Sequence, residues 1–319
     1  MKYEVSVIVP IYNSESTLRK TLDSLEKQTY PISKVFLVNN KSKDNSSVIM
    51  SQYKCTSQHN VVIINHEEDF GLAYSYNECI KLAASELIVT LHSDIVICED
   101  NGIEELVKPF KKSEHVVATY PLVEFPIEQW KKYNFWQKCI FSRHLHKLHP
   151  GCNGMFNCFN KSALIKIGLF DDETFRSAGE DGDIYNKLQK IGTTLLVNTK
   201  VEHLHYIGNN FSINDYIYKE NQYAEAAGAG LRKNLKTTSY RNIFFINIRP
   251  LLILSLIIPH LRIFSILFLI MYSFFITKNV FLSEWKNLRI LILPFINILS
   301  LFGYTYYYLK GFLTAKQRL

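Results

Sequence analysis

The first part of the chain alternates short runs of β-branched apolar residues with segments of helical periodicity. Four such runs occupy residues 5–10, 34–38, 61–65 and 87–91. Between them apolar residues recur every three or four positions, as in amphipathic helices. Because strands that alternate with helices pair in parallel, the pattern predicts an α/β domain with a mostly parallel sheet flanked by helices.

Polar residues directly follow three of these predicted strands. They are Tyr12 and Asn13 after the first, Asn39 and Asn40 after the second, and His92, Ser93 and Asp94 after the fourth. In open α/β sheets, ligands bind beyond the carboxyl ends of the strands. We therefore expect a ligand site formed by these three loops.

A third feature is the acidic stretch that follows Gly179, with carboxylates at Glu180, Asp181 and Asp183. It leads into a helical pattern of apolar residues that ends near residue 191. Carboxylates at a helix start satisfy free N–H groups and favour the positive end of the helix dipole, so capping is the simplest interpretation of this stretch alone.

Charge is unevenly distributed along the chain. The formal net charge is +7, yet from residue 231 to the end twelve Lys or Arg accompany a single acid, Glu284. A basic region binds nucleic acid or anionic lipid, and the apolarity of this one favours lipid, so no nucleic-acid partner is expected. Six cysteines without ligand-like spacing indicate incidental thiols in a reducing compartment.

The C-terminal region contains two apolar blocks, at about residues 243–276 and 290–309. About 20 apolar residues cross a bilayer core, so we expect membrane-associated helices, with a hairpin at Pro259 and a spanning second block. The alternative is a pair of buried core helices. The expected organisation is a catalytic domain at 1–228, a basic linker at 229–242 and a membrane-associated region at 243–319. The N-terminus lacks the features of a signal peptide, so the first domain is expected in the cytoplasm.

Residues 120–158 are aromatic and basic, with Trp130 and Trp136 among lysines, which favours a flap that faces an acceptor or a membrane. The trio His144, His146 and His149 fits no standard metal-ligand spacing. Gly154 indicates a close backbone approach before the next strand.

Five motifs in order resemble the glycosyltransferase family 2 enzymes with a GT-A (Rossmann-like) fold, over about residues 4–206. They are VSVIVPIYNSESTLRKTLDSLEKQTY, the loop NNKSKDNS, the helix FGLAYSYNECIKLA, the turn LHSD and the acidic stretch GEDGDIYNKLQKIG. The tail FGYTYYYLKGF is similar to membrane segments in a branch of this family that glycosylates lipid-linked acceptors.

The resemblance implies a nucleotide-sugar donor bound with Mg²⁺ or Mn²⁺, and it places Asp94 at the metal and the diphosphate. His205 stands where the family has a late histidine, and it is the second predicted metal ligand. His92 replaces the first acid of the family's motif. The metal could then be held by Asp94, His205 and the diphosphate, with a preference towards Mn²⁺, and a structural role of His92 is an equal alternative.

The nucleotide pocket implied by the resemblance consists of Pro10, Tyr12, Glu15, Asn40 and Ser42. Asn40 replaces an aspartate that many relatives direct at the base. An amide carbonyl still accepts a hydrogen bond from a pyrimidine N3–H, so the nucleotide preference stays open.

Asp181 is the implied general base, which removes the proton of the acceptor hydroxyl. Glu180 has a supporting or acceptor-orienting role and, with Asp183, is expected to raise the pKa of Asp181. Asp183 itself is expected to be structural, pairing with Lys187 one helical turn later.

Together these features predict an inverting, metal-dependent hexosyl- or deoxyhexosyltransferase at the cytoplasmic face of the cell membrane. Its acceptor would be lipid-linked, of the polyprenyl type, or a cell-surface glycan precursor. A variant of this hypothesis is transfer onto a growing glycan, with the tail as an anchor. The alternative from another class is a catalytically silent nucleotide-sugar-binding membrane protein.

Overall fold

The computed structural model describes residues 3–142, 144–145, 147, 149–150, 154–176, 178–204, 210–236 and 238–318. The chain forms two compact units. The first contains residues 1–126, 147–172 and 180–206, and the second contains residues 127–146, 173–179 and 207–319.

The described strands of the first unit form one sheet. They are β1 (Val5–Ile11), β2 (Lys34–Asn39), β3 (Val61–Asn65), β4 (Leu87–Leu91), β5 (Ile95–Ile97), β6 (Val116–Glu124), β7 (His149–Pro150), β8 (Phe156–Asn160) and β9 (Thr193–His203). Their order is β3-β2-β1-β4-β8-β6-β9-β5, with β7 beside β6. The four predicted strands are confirmed to within one residue, and the pairs β3–β2, β2–β1 and β1–β4 are parallel.

The second half of the sheet is mixed. β8 runs antiparallel to β4 and to β6, whereas β9 is parallel to β6 and antiparallel to β5. Most described strands nevertheless point the same way, so the predicted α/β class is confirmed. The strand β9 is continuous over 11 residues, and it pairs with β6 and with β5.

The described helices are α1 (Glu15–Glu26), α2 (Ser46–Thr56), α3 (Leu72–Leu82), α4 (Gly102–Val107), α5 (Ile127–Lys132), α6 (Phe135–Phe141), α7 (Lys161–Lys166), α8 (Glu180–Leu188), α9 (Ile213–Asn234), α10 (Tyr240–Ser255), α11 (Arg262–Phe275), α12 (Lys278–Ser283) and α13 (Leu293–Thr314). In the first unit, helices cover both faces of the sheet. Val7 of β1 packs in the core that contains Leu18 of α1, whereas its neighbour Ile8 packs in the core that contains Tyr76 of α3. Burial of both faces explains why the strands are continuously apolar.

The second unit is helical, and its α9 and α13 pack very closely. A Cβ atom at Gly228 would overlap the carbonyl oxygen of Tyr308, and one at Gly311 would overlap that of Glu225. Only a residue without a side chain permits this distance between two helix backbones. Residues 229–242 include the end of α9 and the start of α10.

The predicted membrane-spanning segments are not found. In the part of the chain that the structure describes, no helix is both long enough and apolar enough to cross a bilayer. The first apolar block is divided near Pro259 into α10, of 16 residues, and α11, of 14 residues. α13 has 22 residues, but Asn297, Ser300 and Thr305 interrupt its apolar sequence. A span needs about 20 predominantly apolar residues in one helix, and the blocks do not supply them.

Candidate active site

The turn that follows β4 is fixed to α1 by hydrogen bonds. The carbonyl oxygen of Ser93 accepts from Thr17 Oγ1 at 2.9 Å and from Thr21 Oγ1 at 3.0 Å. The hydroxyls of Ser93 and Ser14 lie 2.7 Å apart. These contacts hold the residues on either side of Ser93 at the carboxyl end of β4, where the sequence predicted a ligand site.

Asp94 contacts a histidine from the far end of the chain's first unit. The pairing of β5 with β9 sets Ile95 opposite His203, and the Nε2 atom of His203 lies 3.0 Å from Asp94 Oδ2. The Asp94 side chain stays 25% exposed. Burial alone would raise its pKa, but the charge and hydrogen bond of His203 lower the pKa below its usual value. Asp94 is therefore an ionised carboxylate that still reaches the surface of the site.

His92 lies two residues before Asp94, where the family motif has an acid. Its Nε2 atom is buried and has no hydrogen-bond partner among the described residues. Burial, opposed by Asp94 and assisted by His203, lowers the pKa of His92 to about 4. The ring is therefore neutral near pH 7, and its Nε2 atom has no partner within the described part of the chain. A structural histidine usually has its buried polar atoms bonded within the protein.

The acidic stretch forms the first turn of α8. Glu180 and Asp183 are buried, and Asp181 is partly exposed. Lys187 Nζ lies 2.9 Å from Asp183 Oδ2, which confirms the predicted pair one turn apart. Gly179 has a φ of +97°, a conformation that glycine adopts without strain. The helix start thus combines a structural acid, Asp183, with two carboxylates that this ion pair does not use.

Gly154 brings the Asp181 carboxylate and the His92 ring into one place. Its φ is +71°, and a Cβ atom there would stand 2.6 Å from Asp181 Oδ1 and 3.7 Å from His92 Nε2. Tyr76 Oη donates to the Gly154 carbonyl oxygen at 3.2 Å. The predicted close backbone approach is confirmed for Gly154, and its missing side chain leaves room for both groups.

The carboxylates of this cluster are more basic than usual. Burial, followed by the charge of Glu180, raises the pKa of Asp181 well above its ordinary value, and burial raises the pKa of Glu180. Burial, together with the charges of Asp181 and Glu180, also raises the pKa of Tyr76. The Oδ1 atom of Asp181 and the Oε2 atom of Glu180 accept no hydrogen bond from the described residues. A carboxylate that has a buried oxygen atom and a raised pKa is a strong proton acceptor once it is ionised.

The loops after β1 and β2 are joined by hydrogen bonds. Ser42 Oγ accepts from the backbone N–H of Asn13 at 3.1 Å, and Glu15 Oε1 accepts from Asn45 Nδ2 at 2.7 Å. Ser42 and Glu15 thus fix the shape of the predicted nucleotide pocket. Pro10 is a buried residue of β1, and Tyr12 is 50% exposed just beyond it.

Asn40 is buried at the end of β2, and its carbonyl oxygen is already engaged. It accepts from Ser75 Oγ at 3.0 Å and lies 2.7 Å from His66 Nδ1. A carbonyl oxygen has two lone pairs, so this network competes with the predicted bond to a pyrimidine N3–H. Contact of Asn40 with a base stays a prediction.

His66 is a candidate that the sequence analysis missed. It follows β3 directly, its Nε2 atom lies 2.8 Å from Glu78 Oε2, and its ring contacts those of Phe70 and Tyr74. In open parallel sheets, polar residues at the carboxyl ends of the strands form the ligand site. The same rule, applied to β3, indicates His66.

The residues present fit a divalent cation bound together with a diphosphate. The ionised Asp94 carboxylate reaches the site, and the buried Nε2 atom of His92 has no partner among the described residues. Mg²⁺ and Mn²⁺ bind through one or two carboxylates and complete their coordination with substrate phosphates. The described residues contain no group of three side chains that could hold a metal alone. His205, the second predicted ligand, lies outside the described residues, as does His146 of the histidine trio.

The first unit thus combines a mixed α/β sheet with a carboxylate turn beyond β4, joined loops after β1 and β2, and two further carboxylates at a helix start, an arrangement that suits a group-transfer enzyme. The sequence model of glycosyl transferase family 2 matches residues 6–168. The chain belongs to this family, and the predicted enzyme class is confirmed at that level.

Among curated proteins, the chain is 28% identical over 177 residues to the poly-β-1,6-N-acetyl-D-glucosamine synthase of Staphylococcus epidermidis. The matched region covers 53% of this chain and 42% of that protein. It is 34% identical over 113 residues to a poly(ribitol-phosphate) β-glucosyltransferase of Bacillus spizizenii, covering 35% of this chain and 17% of that protein. The chain thus matches less than half the length of these relatives.

Among solved structures, the chain is similar to a mannosyltransferase from Pyrobaculum calidifontis, determined in complex with GDP-Man and Mn²⁺. The TM-score is 0.61 at 16% identity, and the similarity covers 96% of this chain and 88% of that one. At this identity the similarity concerns the fold, and it confirms the predicted GT-A-like architecture.

Proposed function

We propose that this protein is an inverting, metal-dependent glycosyltransferase that transfers a hexosyl or deoxyhexosyl group from a nucleotide-sugar donor. The observation that carries the proposal is the arrangement around Gly154. A proton-accepting carboxylate, Asp181, and the turn with the ionised Asp94 belong to the same unit, and Asp181 and His92 both border Gly154. Such a site holds the two functions that sugar transfer needs, namely a base for the acceptor and an anchor for the donor's diphosphate.

The Asp181 carboxylate accepts the proton of the acceptor hydroxyl as that oxygen attacks the anomeric carbon. A new carbon–oxygen bond forms on one face of the sugar, and the bond to the diphosphate breaks on the other, with its electron pair leaving on the diphosphate. The configuration is therefore inverted. Glu180 keeps Asp181 basic, since its negative charge disfavours a second one beside it.

Asp94, with His92 and with His205 as predicted, would hold Mg²⁺ or Mn²⁺ against the diphosphate. When bound, the cation supplies positive charge that neutralises the leaving diphosphate. His203 orients the Asp94 carboxylate through their hydrogen bond. Loops after β1, β2 and β3, with Tyr12 at their exposed edge, would receive the nucleotide.

The acceptor belongs to a lipid-linked glycan or a cell-surface glycan precursor at the cytoplasmic face of the membrane. The support is twofold: the curated relatives are named for polymers of N-acetylglucosamine and ribitol phosphate, and the chain's C-terminal region is basic and apolar. Extraction of the labelled product into organic solvent distinguishes the two acceptors. Sugar on a polyprenyl-linked acceptor enters the organic phase, and sugar on a growing glycan stays in the aqueous phase.

The test is a transfer assay with purified full-length protein, a panel of nucleotide sugars, Mn²⁺ or Mg²⁺, and a membrane extract as the acceptor source. Asp181→Asn should reduce transfer by about 10²- to 10⁴-fold, because the base is lost while donor binding persists. The control is Asp23→Asn, on the exposed face of α1. Equal transfer by the Asp181 variant and the wild type would exclude Asp181 as the base.

The catalytically silent alternative has one observation in its favour: the turn after β4 offers a single carboxylate, Asp94, because His92 occupies the other position. Calorimetry separates the two functions. Metal-dependent binding of a nucleotide sugar without hydrolysis or transfer, over the whole acceptor panel, would favour a binding protein.

A further inference from the structure

Helix α11 of the second unit is inverted in polarity. In α11, the buried side chains Ser265, Leu269 and Ser273 lie on one stripe at intervals of four residues. Large apolar side chains occupy the rest of its circumference, and Phe264 and Met271 are 73% and 68% exposed. In water the arrangement is usually the opposite, with the apolar stripe buried and the polar face outside.

Polar groups hold these helices together from inside. Asn297 of α13 donates to the Ser273 carbonyl oxygen at 2.6 Å and to Thr277 Oγ1 at 2.9 Å. The hydroxyls of Ser255 and Ser265 lie 2.7 Å apart and join α10 to α11. Small and hydroxyl-bearing residues inside, with apolar residues outside, are typical of helices that pack in lipid.

The set of large exposed apolar side chains extends beyond α11 along the chain. We call it the apolar face, defined by the large exposed side chains Phe244, Ile257, Phe264, Met271, Trp285 and Leu288 with their neighbours. Monomeric soluble proteins rarely expose so many large apolar side chains within one segment, which therefore marks an interaction site.

Positive charge accompanies this face. The exposed cations of the same segment are Arg241, Arg262, Lys278, Lys286 and Arg289. Glu284, its only acid, is ion-paired with Lys138 of α6. Two copies that met through this face around a twofold axis would bring the same cations together, at an electrostatic cost. An anionic lipid surface complements both properties, since acyl chains accept the apolar side chains and headgroups attract the cations.

We infer that α10, α11 and the segment 285–299 dock in the plane of an anionic lipid bilayer, with the apolar face among the acyl chains and the cations at the headgroups. This inference does not depend on sugar transfer, because it rests only on the second unit. The inference names the surface that binds lipid and the class of lipid that it binds. Binding of this kind does not require a helix that crosses the bilayer.

The experiment is flotation of the full-length protein with vesicles of phosphatidylcholine alone or mixed with phosphatidylglycerol. We expect stronger partition into the anionic vesicles and a loss of that difference at high salt. The paired variant Phe264→Asp with Leu267→Asp should lower the partition coefficient by at least about tenfold for each side chain. The matched controls are Leu82→Asp and Ile165→Asp, at exposed apolar residues of the first unit, and they should float like the wild type.

A second measurement does not depend on charged variants. Trp285 is 69% exposed, so brominated acyl chains should quench part of the tryptophan fluorescence, and Trp285→Phe should abolish that part. Flotation of the Phe264 and Leu267 variant at the wild-type level, or absence of quenching at Trp285, would overturn the inference. So would a dimer in lipid-free solution that Phe264→Asp dissociates, because a second copy would then cover this face.

Discussion

The Oδ1 atom of Asp181 lies 2.6 Å from the point where a Cβ atom of Gly154 would stand. The two residues are far apart in sequence, and the absent side chain of one leaves the space that the carboxylate of the other occupies.

Gly154→Ala should abolish transfer. The new methyl group would collide with the Asp181 carboxylate, and the φ of +71° adds strain for any residue with a Cβ atom. Initial rates at saturating donor measure the loss. The matched control is Gly168→Ala, also at a positive φ but with no neighbour within 4 Å, so it carries the strain without the collision. If both variants lose the same activity, the contact with Asp181 is irrelevant.

The pH profile of transfer should reveal the raised pKa of Asp181. The carboxylate acts as the base, so activity falls as the pH drops through this raised pKa. Glu180→Gln removes the neighbouring negative charge and should move the acid limb of kcat/KM to lower pH. An unmoved limb in this variant would mean that another group controls the profile.

Asp181→Asn should stabilise the protein at neutral and higher pH. The folded-state pKa of Asp181 lies above the unfolded value, so its ionisation opposes folding once the pH rises above the unfolded pKa. We expect a Tm above that of the wild type near pH 8 and no difference at a pH below the ordinary range of a carboxyl group. A variant with a lower Tm at both pH values would contradict this assignment.

His203→Ala should weaken metal-dependent donor binding by about 10- to 100-fold, the usual effect of removing a residue that orients a metal ligand. The loss arises because Asp94 Oδ2 no longer accepts the bond from His203 Nε2. Titration of Mn²⁺ at fixed donor concentration measures it. His59→Ala is the control, at a histidine of another part of the same unit, and an equal loss there would indicate general destabilisation.

The sequence predicted the strands well because each is a compact apolar run, and β1, β2 and β4 are buried on both faces. β3 and β4 were predicted to the residue. Helical spacing correctly predicted the pair of Asp183 and Lys187. Residues four positions apart are neighbours on a helix surface, and this does not depend on the rest of the fold. In these cases local periodicity is sufficient to determine structure.

The same reasoning failed for the C-terminal helices. Apolarity along the sequence indicated spans, yet α10 and α11 are too short, and α13 carries polar residues on its buried side. The composition of a segment gives the number of its apolar residues. It does not show which of them face the inside of a helix cluster and which face the outside. That assignment depends on packing between helices, as at Gly228 and Gly311.

The sequence by itself determined the α/β class, the order of the motifs and the identity of the acidic residues, because strand and helix periodicity and loop chemistry are local properties. Only the tertiary structure decided which residues meet. The register of β5 against β9 places His203 beside Asp94, and the pairing of His92 N–H with the Met155 carbonyl oxygen at 2.9 Å brings Gly154 to the site. Contacts between residues this distant in sequence depend on sheet register, and register is fixed only when the whole core packs.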